Sequence, residues 1–268
     1  MNLTVVTIVK NDIEGFLLTS TSLLRLNRKF EWLVVSPDIE ISQLLSQLVS
    51  ENLELKAKFI HDKGDGIYFA MQAAVEQVPN NNWVWFMNAG DYFYKENVVE
   101  VLEPWLENES LDWISTRVRY LTKSGDFLFS SSSWCNKNSQ LFAKKFASHQ
   151  GFICKSNVIK EVGGFDLNFR IAADWDLICK VAQQFCGQSL DLETAVFHMG
   201  GASTQQRQLG NRELLELRNF HLGRRWKLPS YIWFALRFLR NSIILKLEEK
   251  NPNFANLARK WFWKLTKS

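Results

Sequence analysis

Apolar and polar positions change rhythm in blocks along the first half of the chain. Residues 3–9, 32–35, 58–60 and 83–87 form short, nearly continuous runs suited to buried strands. Between them, apolar residues recur three or four apart, as at Ile41, Leu44, Leu45 and Leu48, which is the spacing of one helix face. Strands alternating with helices predict an α/β fold, a mostly parallel sheet covered on both faces. Ligands of such sheets sit at the carboxyl ends of the strands. The residues that follow each strand therefore matter most: Asn11, Ser36, the loop 61–66 and the turn 88–91.

The second half is more mixed. Residues 113–121 read as a strand, 123–126 as a turn, 170–185 as a helix, 194–199 as a late strand and 205–225 as another helix. Further on, Ile232, Leu236, Leu239, Ile243 and Leu247 keep helical spacing, and after Asn251-Pro252 so do Phe254, Leu257, Ala258, Trp261, Phe262 and Leu265. Neither stretch has the uninterrupted apolar length needed to span a bilayer.

Charge sharpens this division. Residues 1–223 carry 21 Lys and Arg against 26 Asp and Glu, a net of −5, whereas residues 224–268 carry 11 against 2, a net of +9. The expected layout is an acidic body, 1–223, and a basic amphipathic helical tail, 224–268. The tail either lies in a membrane interface, with its aromatics at headgroup depth, or packs on the body. The body has no basic stripe or recognition motif for nucleic acid, so no nucleic-acid partner is expected. The four cysteines lack CxxC spacing and read as reduced thiols of a cytoplasmic protein. The short apolar start has no basic leader region and is expected to be a first strand rather than a signal peptide.

Three positions carry candidate chemistry. Asp91 closes the turn Asn88-Ala89-Gly90-Asp91 after an apolar strand. A carboxylate there can hold a divalent cation on diphosphate oxygens, or it can cap the helix expected near Lys95. Asp174 shares the apolar helix face of Leu177, Ile178 and Val181, beside Ala172 and Ala173, which leave room for a substrate. It is either a working carboxylate or one that satisfies free helix N–H groups. Asp176 is expected to face water and pair with Lys180. His198, ahead of Gly200 and Gly201, is either a ligand beside a lid or a structural histidine. His149-Gln150 is a weaker candidate still.

Taken in order, these blocks resemble family 2 of the GT-A glycosyltransferases, in the branch that makes O-antigen, capsule and exopolysaccharide. The resemblance rests on Thr7-Ile8-Val9-Lys10-Asn11-Asp12, Phe30–Val35, Gly66-Ile67-Tyr68 with Ala70-Met71, Asn88–Asp91, Ala172–Asp176 and His198–Ser203, and it covers roughly residues 1–220. The sequence departs from that pattern at Ser36-Pro37-Asp38, Phe69 and Gln72.

The resemblance implies a GT-A fold and an inverting, metal-dependent sugar transfer from a nucleotide-sugar donor, with a UDP-sugar favoured. It implies Asp174 as catalytic base and Asp91, with His198, as ligands of Mn²⁺ or Mg²⁺. Thr7, Val9, Asn11, Ser36, Asp65, Gly66, Asn88, Ala89 and Gly90 would surround the nucleotide sugar, and His149, Gln150, Gly200 and Gly201 the acceptor or lid. The acceptor would be a glycan or a polyprenyl-diphosphate-linked saccharide at the inner face of the cell membrane, where the protein would be peripheral. The rival reading is a non-catalytic GT-A module that binds nucleotide sugar or glycan.

Overall fold

A computed structural model describes residues 2–122, 124–141, 146–199 and 206–222, with helical positions scattered between 228 and 246. Nine strands among them form one sheet, in the order β3-β2-β1-β4-β8-β6-β9-β5, with β7 paired to β6. The first four are β1 (Leu3–Ile8), β2 (Glu31–Ser36), β3 (Lys56–His61) and β4 (Trp83–Phe86). They run parallel. The others are β5 (Tyr92–Phe93), β6 (Trp113–Leu121), β7 (Phe127–Ser130), β8 (Phe152–Lys155) and β9 (Gly187–His198). β8 is antiparallel to β4 and to β6, so the sheet is mixed beyond β4.

The helices are α1 (Ile13–Leu24), α2 (Ile39–Glu51), α3 (Ile67–Gln77), α4 (Val98–Leu106), α5 (Lys137–Leu141), α6 (Ser156–Glu161), α7 (Ala173–Gln184) and α8 (Arg207–Leu222). Alternation along β1 divides the core. Val6 and Ile8 face Met71 of α3, Val158 of α6 and Leu177 of α7. Leu3 and Val5 face Phe16 of α1, Ile41 of α2 and Leu102 of α4. β1, β2 and β4 are buried almost throughout and mostly apolar, with Thr4, Thr7 and Ser36 among their buried members, because helices cover both of their faces.

Two expectations change here. The late strand expected at 194–199 begins at Gly187; its first half is half-buried at most, with only Leu190 and Leu192 turned to the core among polar residues. Asp176 pairs with Lys180 at 2.6 Å as expected, but it is buried rather than facing water. α7 has two buried faces. Leu177, Ile178 and Val181 join the sheet-side core, while Cys179 packs with Leu217 of α8. Asp176 lies under α8, which arrives thirty residues later in the chain. The 200–205 part of the expected lid, with Gly200 and Gly201, lies outside the described residues, as do residues 247–268 of the tail.

Candidate active site

The ends of β1, β2 and β3 bring one set of loops together. Asn11 adopts a left-handed φ of 53°, held by its N–H donating to Asp38 Oδ2 at 2.6 Å. Asp38 N–H donates to Ser36 Oγ at 3.0 Å. Lys10 Nζ donates to the Gly64 carbonyl at 2.7 Å, tying the β3 loop to β1. Asp65 and Gly66 are exposed at this edge. Thr7 and Val9 are not free to line it. The Thr7 hydroxyl accepts from the Trp32 indole N–H at 3.0 Å, and Val9 packs in the core. This end thus offers Asn11, Ser36 and the 64–66 loop, with Asp38 as an added anchor that the sequence pattern did not flag.

The turn after β4 is closed by Asp91 N–H to the Asn88 carbonyl at 2.9 Å. Gly90 stands at φ 88°, a conformation costly for other residues. Thr19, deep in α1, locks the turn from behind. Its Oγ1 donates toward the carbonyls of Asn88 (3.1 Å) and Asp91 (2.6 Å) and accepts from Gly90 N–H (3.2 Å). Nothing in the local sequence marks Thr19, since the contact spans some seventy residues.

Asp91 does not cap a helix. Its Oδ2 accepts from Gln150 Nε2 at 2.9 Å, and β5 intervenes before α4. Burial pushes its carboxyl up to about 7, against the opposing charge of His149 and the Gln150 hydrogen bond. Gln150 is 1% exposed, so it supports Asp91 rather than contacting an acceptor. Its own carbonyl accepts from the Trp85 indole at 2.7 Å.

His149, in a single 3₁₀ turn (His149–Gly151) before β8, joins two sites. Its Nδ1 lies 3.1 Å from Asp174 Oδ2, and its Nε2 lies 3.2 Å from Asn88 Nδ2. Burial lowers its pKa, but the hydrogen bond and charge of Asp174 outweigh that, and the net shift is upward. Asp174 Oδ1 accepts from the Tyr68 hydroxyl at 2.9 Å and from Trp175 N–H at 2.9 Å. Burial, reinforced by the Asp174 charge, keeps Tyr68 protonated and a donor. A small cavity lined by Phe86, Phe152, Phe165 and Leu177 adjoins His149 and Asp174. Asp174, His149 and Asn88 are thus linked side chain to side chain, and Asp91 joins them through the neighbouring Gln150 amide and its own backbone N–H to Asn88. The His198 ring lies 5.6 Å from that of Tyr92, and burial lowers its pKa.

A divalent cation fits this turn. Asn88 Oδ1 is buried with no hydrogen-bond partner, and Asp91 beside it carries a carboxylate that burial disfavours unless a cation compensates. Among the described residues, no group of three or more His, Cys, Asp or Glu gathers as a metal site. A cation here would take its remaining ligands from a bound diphosphate and water.

No protein-family model matches the chain. PGL/p-HBAD biosynthesis glycosyltransferases of Mycobacterium tuberculosis and Mycobacterium bovis are 23% identical to it over 133 residues, 49% of this chain and 50% of theirs. The chain thus spans about half the length of these curated relatives. Among solved structures, S. aureus TarS in complex with UDP-GlcNAc superposes with a TM-score of 0.62 at 13% identity, over 82% of this chain and 65% of TarS. A mannosyltransferase from Pyrobaculum calidifontis, in complex with GDP-Man and Mn²⁺, also gives 0.62 at 12% identity, over 99% of this chain and 86% of its own. The chain has the α/β fold of these glycosyltransferases, a GT-A-like curled sheet flanked by helices.

Proposed function

We propose that this chain is an inverting, metal-dependent glycosyltransferase that moves a sugar from a nucleotide-sugar donor onto a glycan acceptor. The observation that carries the reading is that two adjacent residues join both ends of the site: the His149 ring meets Asn88 and Asp174, and the Gln150 amide holds Asp91. It puts a cation-compatible turn and a hydrogen-bonded carboxylate in one site. In the resembling family these are the diphosphate end and the acceptor end of the reaction.

Asp91 and Asn88 Oδ1 would hold a divalent cation, which when bound supplies positive charge to the donor diphosphate. Asn11, Ser36 and the 64–66 loop would surround the nucleotide. Asp174 takes the proton of the acceptor hydroxyl. The freed oxygen bonds to the anomeric carbon from the face opposite the diphosphate. The old C–O bond breaks, and its electron pair leaves with the nucleoside diphosphate. Tyr68 and His149 hold both Asp174 oxygens and so fix the direction of its lone pairs.

The acceptor we propose is a lipid-linked saccharide, of the kind used in O-antigen or capsule assembly, at the inner face of the membrane. Two observations support a peripheral attachment. Leu228, Ile232, Leu236, Leu239 and Ile243 recur at helical spacing and are all exposed, and the surrounding segment carries the +9 charge. No helix among the described residues is long and apolar enough to cross a membrane.

The deciding experiment incubates the protein with a panel of UDP- and GDP-sugars, with and without Mn²⁺, and follows release of nucleoside diphosphate and thermal stabilisation. Mn²⁺-dependent stabilisation by one nucleotide class, with release that accelerates on adding lipid-linked saccharide, is expected. Binding without any turnover across the panel would favour a sugar-binding module instead.

A further inference from the structure

α7 starts without a cap of its own. Its N-cap residue is Ala172, which has no side-chain oxygen to accept the free N–H groups of the first turn. A carboxylate from another helix instead grips the segment that leads into α7, up to the N-cap residue. Glu213 of α8, 4% exposed, accepts from the backbone N–H groups of Arg170 (2.9 Å), Ile171 (2.8 Å) and Ala172 (3.0 Å). Three converging N–H groups at a helix start form an anion-binding concavity. They satisfy a buried charge that would otherwise be costly.

The residues so gripped lead directly to Asp174. The Ile171 carbonyl accepts from the Tyr68 hydroxyl at 2.8 Å, and that hydroxyl also contacts Asp174. Two residues beyond Asp174, the buried Asp176 Oδ1 meets His221 Nε2 at 2.7 Å. His221 also belongs to α8, eight residues after Glu213, or about 12 Å along the helix axis. Leu217 fills the space between the two anchors, against Ala172 and Cys179. Asp174 is thus flanked on both sides by points fixed to α8.

We propose that Glu213 and His221 are positioning residues for the transfer step, holding the start of α7 so that Asp174 meets the acceptor hydroxyl. This rests on the reading of Asp174 as base. It assigns α8 a role separate from donor binding, because Asn11, Ser36, the 64–66 loop, Asn88 and Asp91, proposed above for the donor, lie on other elements. Glu213 accepts N–H groups on the Asp174 side of the site, whereas Thr19 and Gln150 hold the Asp91 side. A misplacement of the base by about 1 Å is worth up to about a hundredfold in rate.

The test uses full-length Glu213→Gln and His221→Gln, which preserve size, with Asp174→Asn as reference. Single-turnover transfer is measured at saturating donor, beside donor affinity by calorimetry and thermal stability. Transfer slowed by about tenfold to a hundredfold in either folded variant, with donor affinity within about twofold of wild type, is expected. If both variants transfer at the wild-type rate while Asp174→Asn is inactive, the positioning role is overturned and the base assignment stands. A lowered melting temperature with an unchanged rate overturns it too, as does failure of both variants to fold, because α8 would then serve stability alone. If Asp174→Asn is also fully active, the base reading fails and this inference falls with it.

Discussion

The Nδ1 of His149 lies 3.1 Å from Asp174 Oδ2, and the opposite nitrogen of the same ring lies 3.2 Å from the Asn88 side chain. One imidazole therefore touches both the carboxylate of α7 and the turn that follows β4. His149→Ala should break this link. Transfer is expected to fall by about tenfold or more, because Asp174 loses a fixed partner. Steady-state kinetics check it, and an unchanged kcat would remove His149 from the site.

Asp174→Asn keeps the size of the side chain and removes its basicity. Turnover should fall by about two to four orders of magnitude, the usual worth of a positioned base, while donor affinity holds. Single-turnover transfer alongside a donor titration decides it. Loss of donor affinity, with the chemical step intact, would mean that Asp174 contacts the donor instead.

Asp176→Asn should cost stability rather than be silent. Burial alone would raise the Asp176 carboxyl, but the hydrogen bonds from His221 and Lys180 prevail and hold it below its ordinary range. A folded-state pKa below the unfolded one means that the stabilisation is present above the ordinary carboxylate range and is lost as pH falls through the depressed value. The variant should be about 1–3 kcal/mol less stable than wild type at pH 7, with the gap closing in acid. Urea denaturation at neutral and acidic pH measures both. A gap of constant size across that range would contradict the charge argument.

Thr19→Val preserves shape and removes one hydroxyl that serves Asn88, Gly90 and Asp91 together. The turn should loosen, with a stability loss of about 1–3 kcal/mol. Mn²⁺-dependent binding of nucleoside diphosphate should weaken more than metal-free binding does. Asp91→Ala should abolish the Mn²⁺-dependent part altogether. Calorimetry with and without Mn²⁺ compares the three proteins, and equal Mn²⁺-dependent affinity in all of them would dismiss the turn as the cation site.

Leu236→Asp with Leu239→Asp places two charges on the exposed stripe of the tail. Co-sedimentation with anionic liposomes at moderate salt should drop several-fold, while the melting temperature stays within about 2 °C of wild type, as exposed substitutions usually allow. A large fall in melting temperature with liposome binding intact would mean that the stripe packs on the body.

The sequence by itself determined the local features. β1, β2 and β4 were legible because strands buried on both faces are mostly apolar, and the turn at 88–91 because its glycine and its place after a strand are local facts. The burial of Asp174 was legible because it shares a helix face with Leu177 and Ile178. The tertiary structure decided the rest, since each remaining contact joins positions far apart in the chain. Thr7 went to the Trp32 indole, and Gln150 to the support of Asp91. Asp176 was misread as solvent-facing because its pairing with Lys180 is a local i, i+4 contact, whereas its burial comes from α8, which no periodicity within α7 can report. Glu213 gave no signal, because a carboxylate that holds the entry to a helix some forty residues away leaves no local pattern. Side-chain periodicity records one buried face at a time. Where a second layer covers the opposite face, only the packing itself tells a solvated carboxylate from a buried one.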